Sequence, residues 1–122
     1  MTASASLAEK AAALAQLLDL NDKGWETRVN PKTLDMTMAG TCMMGQLYDS
    51  FYKVSLPEYL GAPQMKNEND VNGRELRDAW GFEHGLLWDP DAPLEEKNVQ
   101  SGMLMEIWRK LVEERRGTIA PA

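Results

Sequence analysis

The strongest constraint on how this chain folds is a helical repeat of apolar residues near its C-terminus. The repeat follows the spacing i, i+3, i+4, i+7 and i+8 and comprises Leu104, Ile107, Trp108, Leu111 and Val112. It predicts a helix that begins at Gln100 or Ser101, or already after Pro93, and ends at Arg116, just before Gly117. An apolar stripe of this kind stabilises a helix only when another element covers it, so the chain must supply a partner.

A second helix with one apolar face is predicted near the N-terminus. Its inward positions are Leu7, Ala11, Leu14, Ala15 and Leu18. The helix is expected over residues 6–19, with Ser6 and Glu9 as a capping box and Gly24 beyond its end. In one interpretation this helix docks on a second copy of the chain, which would make the protein a homo-oligomeric structural component.

The segment between residues 25 and 38 alternates in a way that is typical of half-buried strands. The inward positions of that alternation are Trp25, Thr27 and Val29, and then Leu34, Met36 and Met38. Asn30 and Pro31 form a turn signal between the two runs. We therefore expect a small α+β domain, mostly helical, with a short β-hairpin packed on the helices. The alternative is an all-α bundle.

The single cysteine lies in the middle of the chain, in a further helical pattern. Thr41 is placed to cap a helix over residues 41–53, with Cys42 in its first turn. Gly45 would permit close packing of another backbone, such as that of the helix around Trp108.

Two shorter elements are predicted after this helix. Pro57 to Gly61 indicates one helical turn, because proline favours the first position of a helix and glycine the position beyond its end. Val71 to Trp80 indicates a short helix that Gly81 would stop.

Composition bounds the number of domains and the kind of partner. The chain has 122 residues, of which 43% are hydrophobic, enough for one core. We expect one domain over residues 6–117, with flexible ends at 1–5 and 118–122. The formal net charge is −6, from 19 acidic and 13 basic residues. That balance works against binding to nucleic acid, which depends on lysine and arginine neutralising phosphates.

The compartment expected for this chain is the cytoplasm. One cysteine excludes an internal disulfide, which small secreted domains often need. The first twenty residues lack the basic start and the uninterrupted apolar core of a secretion signal. No run approaches the ~18 uncharged apolar residues of a membrane span.

Cys42 and His84 are the only cysteine and histidine, and they are the candidates for a nucleophilic pair. A thiol-dependent enzyme is therefore one function to weigh; the competing interpretation is a buried structural cysteine and an exposed histidine. One cysteine and one histidine cannot complete a zinc site, which takes four nitrogen or sulfur ligands. Glu68 to Gly73 resembles the first half of a calcium loop, but Ala79 stands where its bidentate glutamate belongs. We expect no metal and no cofactor.

The four tryptophans are the most informative aromatic residues. Trp25 and Trp108 lie in periodic patterns and are predicted to be core residues. A second apolar group, if partly exposed, would form a protein-binding patch of Trp80, Phe82, Leu86, Leu87 and Trp88. The alternative is a small satellite core beneath a loop.

Three motifs, in order, resemble a group of small uncharacterised proteins from actinobacteria and their bacteriophages. Cys42 to Tyr48, CMMGQLY, is similar to the group's CxxGQL(Y/F) motif, and Leu34-Asp35-Met36 to the LD(M/L) segment upstream. Gly81-Phe82 fits a downstream Gly-Phe pair, and the segment 104–112 is similar to a closing LTxxWxxxI helix, with Met105 in place of the threonine. The resemblance covers residues 34 to 115. It implies a cytoplasmic protein in a bacterial host, encoded by a phage or prophage, and implies no activity.

The function predicted from these observations is non-enzymatic binding of another protein, in the cytoplasm of a bacterial host. In a phage setting, such a protein would be a host-takeover, anti-defence or regulatory factor. Its partner would be a bacterial protein, with no nucleic acid and no membrane involved. The alternatives are the thiol enzyme and the homo-oligomeric component.

Overall fold

Four α-helices make up the fold in a computed structural model that describes residues 3–117, with side chains from residue 7 onward. They are α1 (Ala3–Asn21), α2 (Met43–Tyr48), α3 (Val71–Glu83) and α4 (Leu94–Arg116), and two 3-10 turns, Trp25–Arg28 and Glu58–Leu60, lie between them. The described residues contain no strand, so the predicted α+β class is wrong and the structure agrees with the all-α alternative. Of the predicted flexible ends, residues 3–5 belong to α1, and residues 1–2 and 118–122 lie outside the described part of the chain.

The core forms where α1 packs against α4. The buried residues at this contact are Leu7, Ala11, Leu14, Ala15 and Leu18 of α1 and Leu104, Trp108 and Val112 of α4. The ring of Trp25 meets that of Trp108 edge to face, with 6.3 Å between the centroids, and neither side chain is exposed. Such a pair contributes roughly 0.5–1.5 kcal/mol beyond the area it buries. The apolar face of α1 is therefore used within the chain.

The predicted β-hairpin is replaced by a 3-10 turn and a series of tight turns. Four of the six inward positions, Trp25, Val29, Leu34 and Met36, are buried as the alternation predicts, whereas Thr27 and Met38 are exposed. The backbone amides, however, bond locally: the N–H of Met38 donates to the carbonyl of Asp35, and that of Thr41 to the carbonyl of Met38. A chain of turns can bury every second side chain without a partner strand, so the period of two does not distinguish the two structures.

α2 is shorter than the predicted helix over residues 41–53. Cys42, not Thr41, is its N-cap, and the Cys42 Sγ accepts a hydrogen bond from the N–H of Gly45 at 3.4 Å. The helix ends at Asp49, whose φ of 85° reverses the chain. The N–H of Phe51 then donates to the carbonyl of Ala39, so the residues predicted to extend the helix fold back on the loop before it.

Gly45 is the site of close packing that the sequence predicts, but its neighbour is a different one. A Cβ atom at this position would lie 2.3 Å from the carbonyl carbon of Gly40 and 2.4 Å from the oxygen of Ala39. The loop before α2, and not the helix around Trp108, therefore requires glycine here.

α3 is longer than its pattern indicates, and α4 begins at the earlier of its two predicted starts. α3 begins at the cap Asp70, whose Oδ1 accepts from the N–H of Gly73 at 3.0 Å, and it runs through Gly81 to Glu83. α4 begins at Leu94, directly after Pro93, and ends before Gly117, as predicted. The turn predicted from Pro57 to Gly61 is confirmed as the 3-10 turn Glu58–Leu60.

A fully buried arginine ties α3 to the loop that precedes it. The side chain of Arg77 has no exposed surface. Its guanidinium donates five hydrogen bonds, at 2.6 to 3.5 Å, to four backbone carbonyls, those of Phe51, Lys53, Val54 and Pro63. All five N–H groups are used, which explains how a cation is buried here without a carboxylate.

Candidate functional site

Most of the predicted protein-binding patch is part of the core. Trp80, Leu86 and Leu87 are 5%, 2% and 8% exposed, so the premise that they form a surface patch is wrong. The indole N–H of Trp80 donates to the carbonyl of Leu60 at 3.2 Å, which fixes the ring inside the protein. Phe82 and Trp88 are half-buried, and only these two of the five keep a surface that a partner can contact.

The two candidate catalytic residues occupy separate environments. Cys42 is 4% exposed, and burial raises the pKa of its thiol, which opposes a reactive thiolate. The Nδ1 of His84 lies 2.8 Å from the carbonyl oxygen of Trp80, and its ring stacks on that indole at 5.1 Å. His84 is therefore bound to its own helix, and the part of the chain described here shows no hydrogen bond between His84 and Cys42.

Cys42 borders a small cavity of about 40 Å³. The cavity is otherwise lined mainly by apolar side chains, among them Met36, Phe51, Leu87 and Trp88. A space of this size and lining suits core packing, and it is too small for a substrate of ordinary size.

A surface groove of about 710 Å³ lies between α3 and the turn that precedes α4. We call it the acidic groove. The residues that line it are Glu75, Asp78, Ala79, Phe82, Glu83, Asp89, Pro90 and Asp91. Five of these eight residues carry a carboxylate, and no lysine or arginine within residues 7–117 lines the groove. The other three lining residues, Ala79, Phe82 and Pro90, are apolar.

One face of α3 forms one wall of the acidic groove. The residues at positions 75, 78, 79, 82 and 83 are spaced by threes and fours, so their side chains share one face of the helix. The opposite face, which includes Gly73, Arg77 and Trp80, is buried. The hydrogen bonds of Arg77 thus fix the rotation of α3 that turns the carboxylates outward.

The other wall is a turn that α4 holds in place. The N–H of Asp91 donates to the Oδ1 of Asp89 at 2.9 Å, and the N–H of Ala92 donates to the Asp89 carbonyl at 3.1 Å. The N–H of Asp89 donates in turn to the Oε1 of Gln100, a buried residue of α4, at 2.7 Å. An Asx turn and a buried amide therefore position this pair of aspartates.

The carboxylates of the groove differ in whether they already make hydrogen bonds or ion pairs within the protein. Asp78 accepts a hydrogen bond from the hydroxyl of Tyr52 at 2.6 Å. Burial, together with this bond to Asp78, raises the pKa of Tyr52, so the phenol stays a donor at neutral pH. Glu75, Glu83 and Asp91 are exposed, and the ion pairs found among the described residues do not include them. Their charges are free to attract a ligand.

One cation of the protein contacts the ring of Phe82 without being one of the residues that line the groove. The Nζ of Lys10, on α1, lies 4.2 Å from the centroid of the Phe82 ring. This distance is within the range of a cation–π interaction.

Metal binding is not indicated for this region. No group of three or more histidine, cysteine, aspartate or glutamate side chains in the described part of the chain is arranged to hold a metal ion. In the segment that resembles half a calcium loop, Asp70 instead caps α3 and accepts from the N–H of Lys66 and Gly73.

Comparisons with known proteins returned no match, whether to family models, to curated proteins or to solved structures. The structure itself adds one finding on membranes: none of the helices it describes is both long and apolar enough to cross one.

Proposed function

We propose that this protein binds another protein through the acidic groove, and that the occupant is a segment rich in lysine or arginine. The observation that supports this most directly is the lining, in which five of eight residues carry a carboxylate and none is basic. Charge complementarity of this kind selects partners and speeds their encounter. The net charge of −6 adds attraction at longer range.

The role is binding rather than catalysis. The buried thiol of Cys42, whose pKa is raised by burial, and the contact of His84 with its own helix support a structural assignment for both residues. In the phage setting that the motif resemblance implies, the partner would be a bacterial protein in the cytoplasm.

The proposal predicts saturable binding of an arginine–serine repeat peptide. The peptide, acetylated and amidated at its ends and labelled with a fluorophore, is titrated with protein while fluorescence anisotropy is recorded. In the variant E75Q/E83Q/D91N, we expect an affinity at least about tenfold lower, because three uncompensated charges of the groove are lost. Asp78 and Asp89 are left unchanged because they make hydrogen bonds within the fold.

The matched control is E58Q/E68Q/E106Q, which removes the same number of exposed charges outside the groove. We expect it to bind within about twofold of the wild type, since it alters only the net charge. A control peptide with citrulline in place of arginine should not bind. Equal weakening by the two triple variants would show that net charge, and not the groove, attracts the peptide, and would overturn the proposal.

A further inference from the structure

Three residues with sulfur-containing side chains line the small cavity beside α2, which we call the sulfur cavity. They are Met36, Met38 and Cys42. The other described residues around this cavity include no carboxylate, imidazole or amine. Its volume of about 40 Å³ leaves room for one small ion and excludes an organic ligand of ordinary size. Among the described residues, it shares none with the acidic groove.

The turns before α2 bring the three sulfur residues to one place. The N–H of Cys42 donates to the carbonyl of Met38 at 3.0 Å, so these two residues begin and end a single turn of the chain. Met36 is 2% exposed and Cys42 is 4% exposed, whereas Met38 is 56% exposed. The cavity therefore combines two buried sulfur residues with one that an ion arriving from solvent can meet first.

We propose that the sulfur cavity is a site for one Cu(I) ion, with the thiolate of Cys42 and the thioethers of Met36 and Met38 as its ligands. Thiolates and thioethers are soft ligands, and they select Cu(I) over the hard cations that carboxylates and carbonyls prefer. Zinc sites usually take four nitrogen, oxygen or thiolate ligands, and calcium takes oxygen ligands, so this donor set suits neither. The proposal goes beyond peptide binding and is independent of it.

Charge neutrality explains how an apolar cavity can hold this ion. Burial raises the pKa of the Cys42 thiol, because a lone thiolate would lose its hydration. When Cu(I) binds, a Cu–Sγ bond replaces the Sγ–H bond, the proton passes to solvent, and copper stays in the +1 state. The copper–thiolate unit then has no net charge, so its cost of burial is far below that of a lone ion. The N–H of Gly45, 3.4 Å from Sγ, continues to donate to the sulfur.

The test is an anaerobic competition with bicinchoninate, whose coloured Cu(I) complex loses absorbance as the protein takes the ion. Wild type should take one equivalent, and C42S, which has no thiolate, should not compete. In M36L/M38L, we expect an affinity at least about tenfold lower, because leucine approximates the volume of methionine but has no sulfur. The matched control, M65L/M105L, changes a buried and a partly buried methionine away from the cavity. It should bind within about twofold of wild type.

A second measurement identifies the ligands in the wild-type protein, so it does not depend on how the variants fold. Ag(I), a soft and diamagnetic ion, is added to protein labelled with carbon-13 at the methionine methyl groups. We expect the assigned resonances of Met36 and Met38 to shift, and those of Met65 and Met105 to stay in place. Zn²⁺ should shift neither pair, because thioethers are poor ligands for it.

Three results would overturn the proposal. Equal Cu(I) affinities of M36L/M38L and M65L/M105L would show that the two thioethers are not ligands. The other two are a wild-type protein that takes no Cu(I) from bicinchoninate, and Met36 and Met38 resonances that Ag(I) leaves unshifted. None of them bears on the peptide titrations, because the acidic groove is a separate surface.

Discussion

At the scale of single residues, Arg77 stabilises the fold most conspicuously. Its neighbours on the same face of α3, Gly73 and Trp80, are also buried, so this face is apolar apart from one guanidinium. A buried charge of this kind is tolerated only when every donor finds an acceptor, and here four carbonyls of the preceding loop supply them. Because α3 also forms one wall of the acidic groove, the same residue supports the candidate binding surface.

Replacement of Arg77 by methionine should destabilise the protein severely. Arg77→Met leaves buried carbonyls without their donors, and we expect a loss of at least about 3 kcal/mol in the free energy of unfolding. The measurement is urea denaturation followed by tryptophan fluorescence. The control is Arg74→Met on the same helix, an exposed residue whose guanidinium lies 4.5 Å from the Tyr52 ring; it should cost about 1 kcal/mol or less. Similar losses in the two variants would show that the Arg77 hydrogen bonds do not hold α3.

At the scale of elements, α1, α4 and the first 3-10 turn meet at one carboxylate. Asp19, near the end of α1, accepts from the indole N–H of Trp25 at 2.8 Å and from the Nε of Arg115 at 2.9 Å. Desolvation raises the pKa of Asp19, but the bonds from Arg115 and Trp25 outweigh it, so the net pKa lies below the usual range. The ionised form is thus preferred in the folded state.

This preference predicts an acid-dependent contribution to stability. Because the folded-state pKa lies below the unfolded value of about 3.9, the Asp19 carboxylate stabilises the fold above that pH and loses the effect as the pH falls through the folded pKa. Asp19→Asn should therefore be less stable than wild type near neutral pH, and the two curves should converge in acid. Thermal or urea unfolding of both proteins across that range measures the gap. A gap that stays constant with pH would contradict the role given to the charge.

At the scale of the whole molecule, charge is distributed unevenly. Carboxylates surround the acidic groove, whereas several arginines lie near the C-terminal end of α4, where Arg115 contacts Asp19 and Arg116 donates to the carbonyl of Val29. Mobile ions would screen the electrostatic attraction between the groove and a basic partner beyond about 10 Å at 0.1 M salt.

Peptide binding should therefore weaken steadily with ionic strength. We expect the Kd of the arginine–serine peptide to rise as NaCl increases, and to rise less steeply in E75Q/E83Q/D91N, which has fewer charges to screen. Anisotropy titrations at several salt concentrations measure both slopes. A Kd independent of salt would mean that Phe82 and Pro90, rather than the carboxylates, dominate the interaction.

The sequence by itself determined the elements whose signals are local. The periods of α1 and α4 predicted both helices and the burial of Trp108, and Gly117 marked the end of α4. These predictions succeeded because a helix is defined by contacts between residues three and four apart, which the sequence displays directly. The hairpin prediction was wrong because alternation reports only which side chains of a segment are buried. It does not show whether the backbone pairs with another strand, and a series of turns can bury side chains as well.

Only the tertiary structure decided where α3 faces and what lies opposite it. Taken singly, the acids at positions 75, 78 and 83 are ordinary surface residues. The spacing i, i+3 and i+7 of Glu75, Asp78 and Phe82 was the one indication in the sequence that these side chains share a helix face. The second wall depends on the hydrogen bond between Asp89 and Gln100. Contacts between residues so far apart in the chain arise when the core packs, and packing depends on all elements at once.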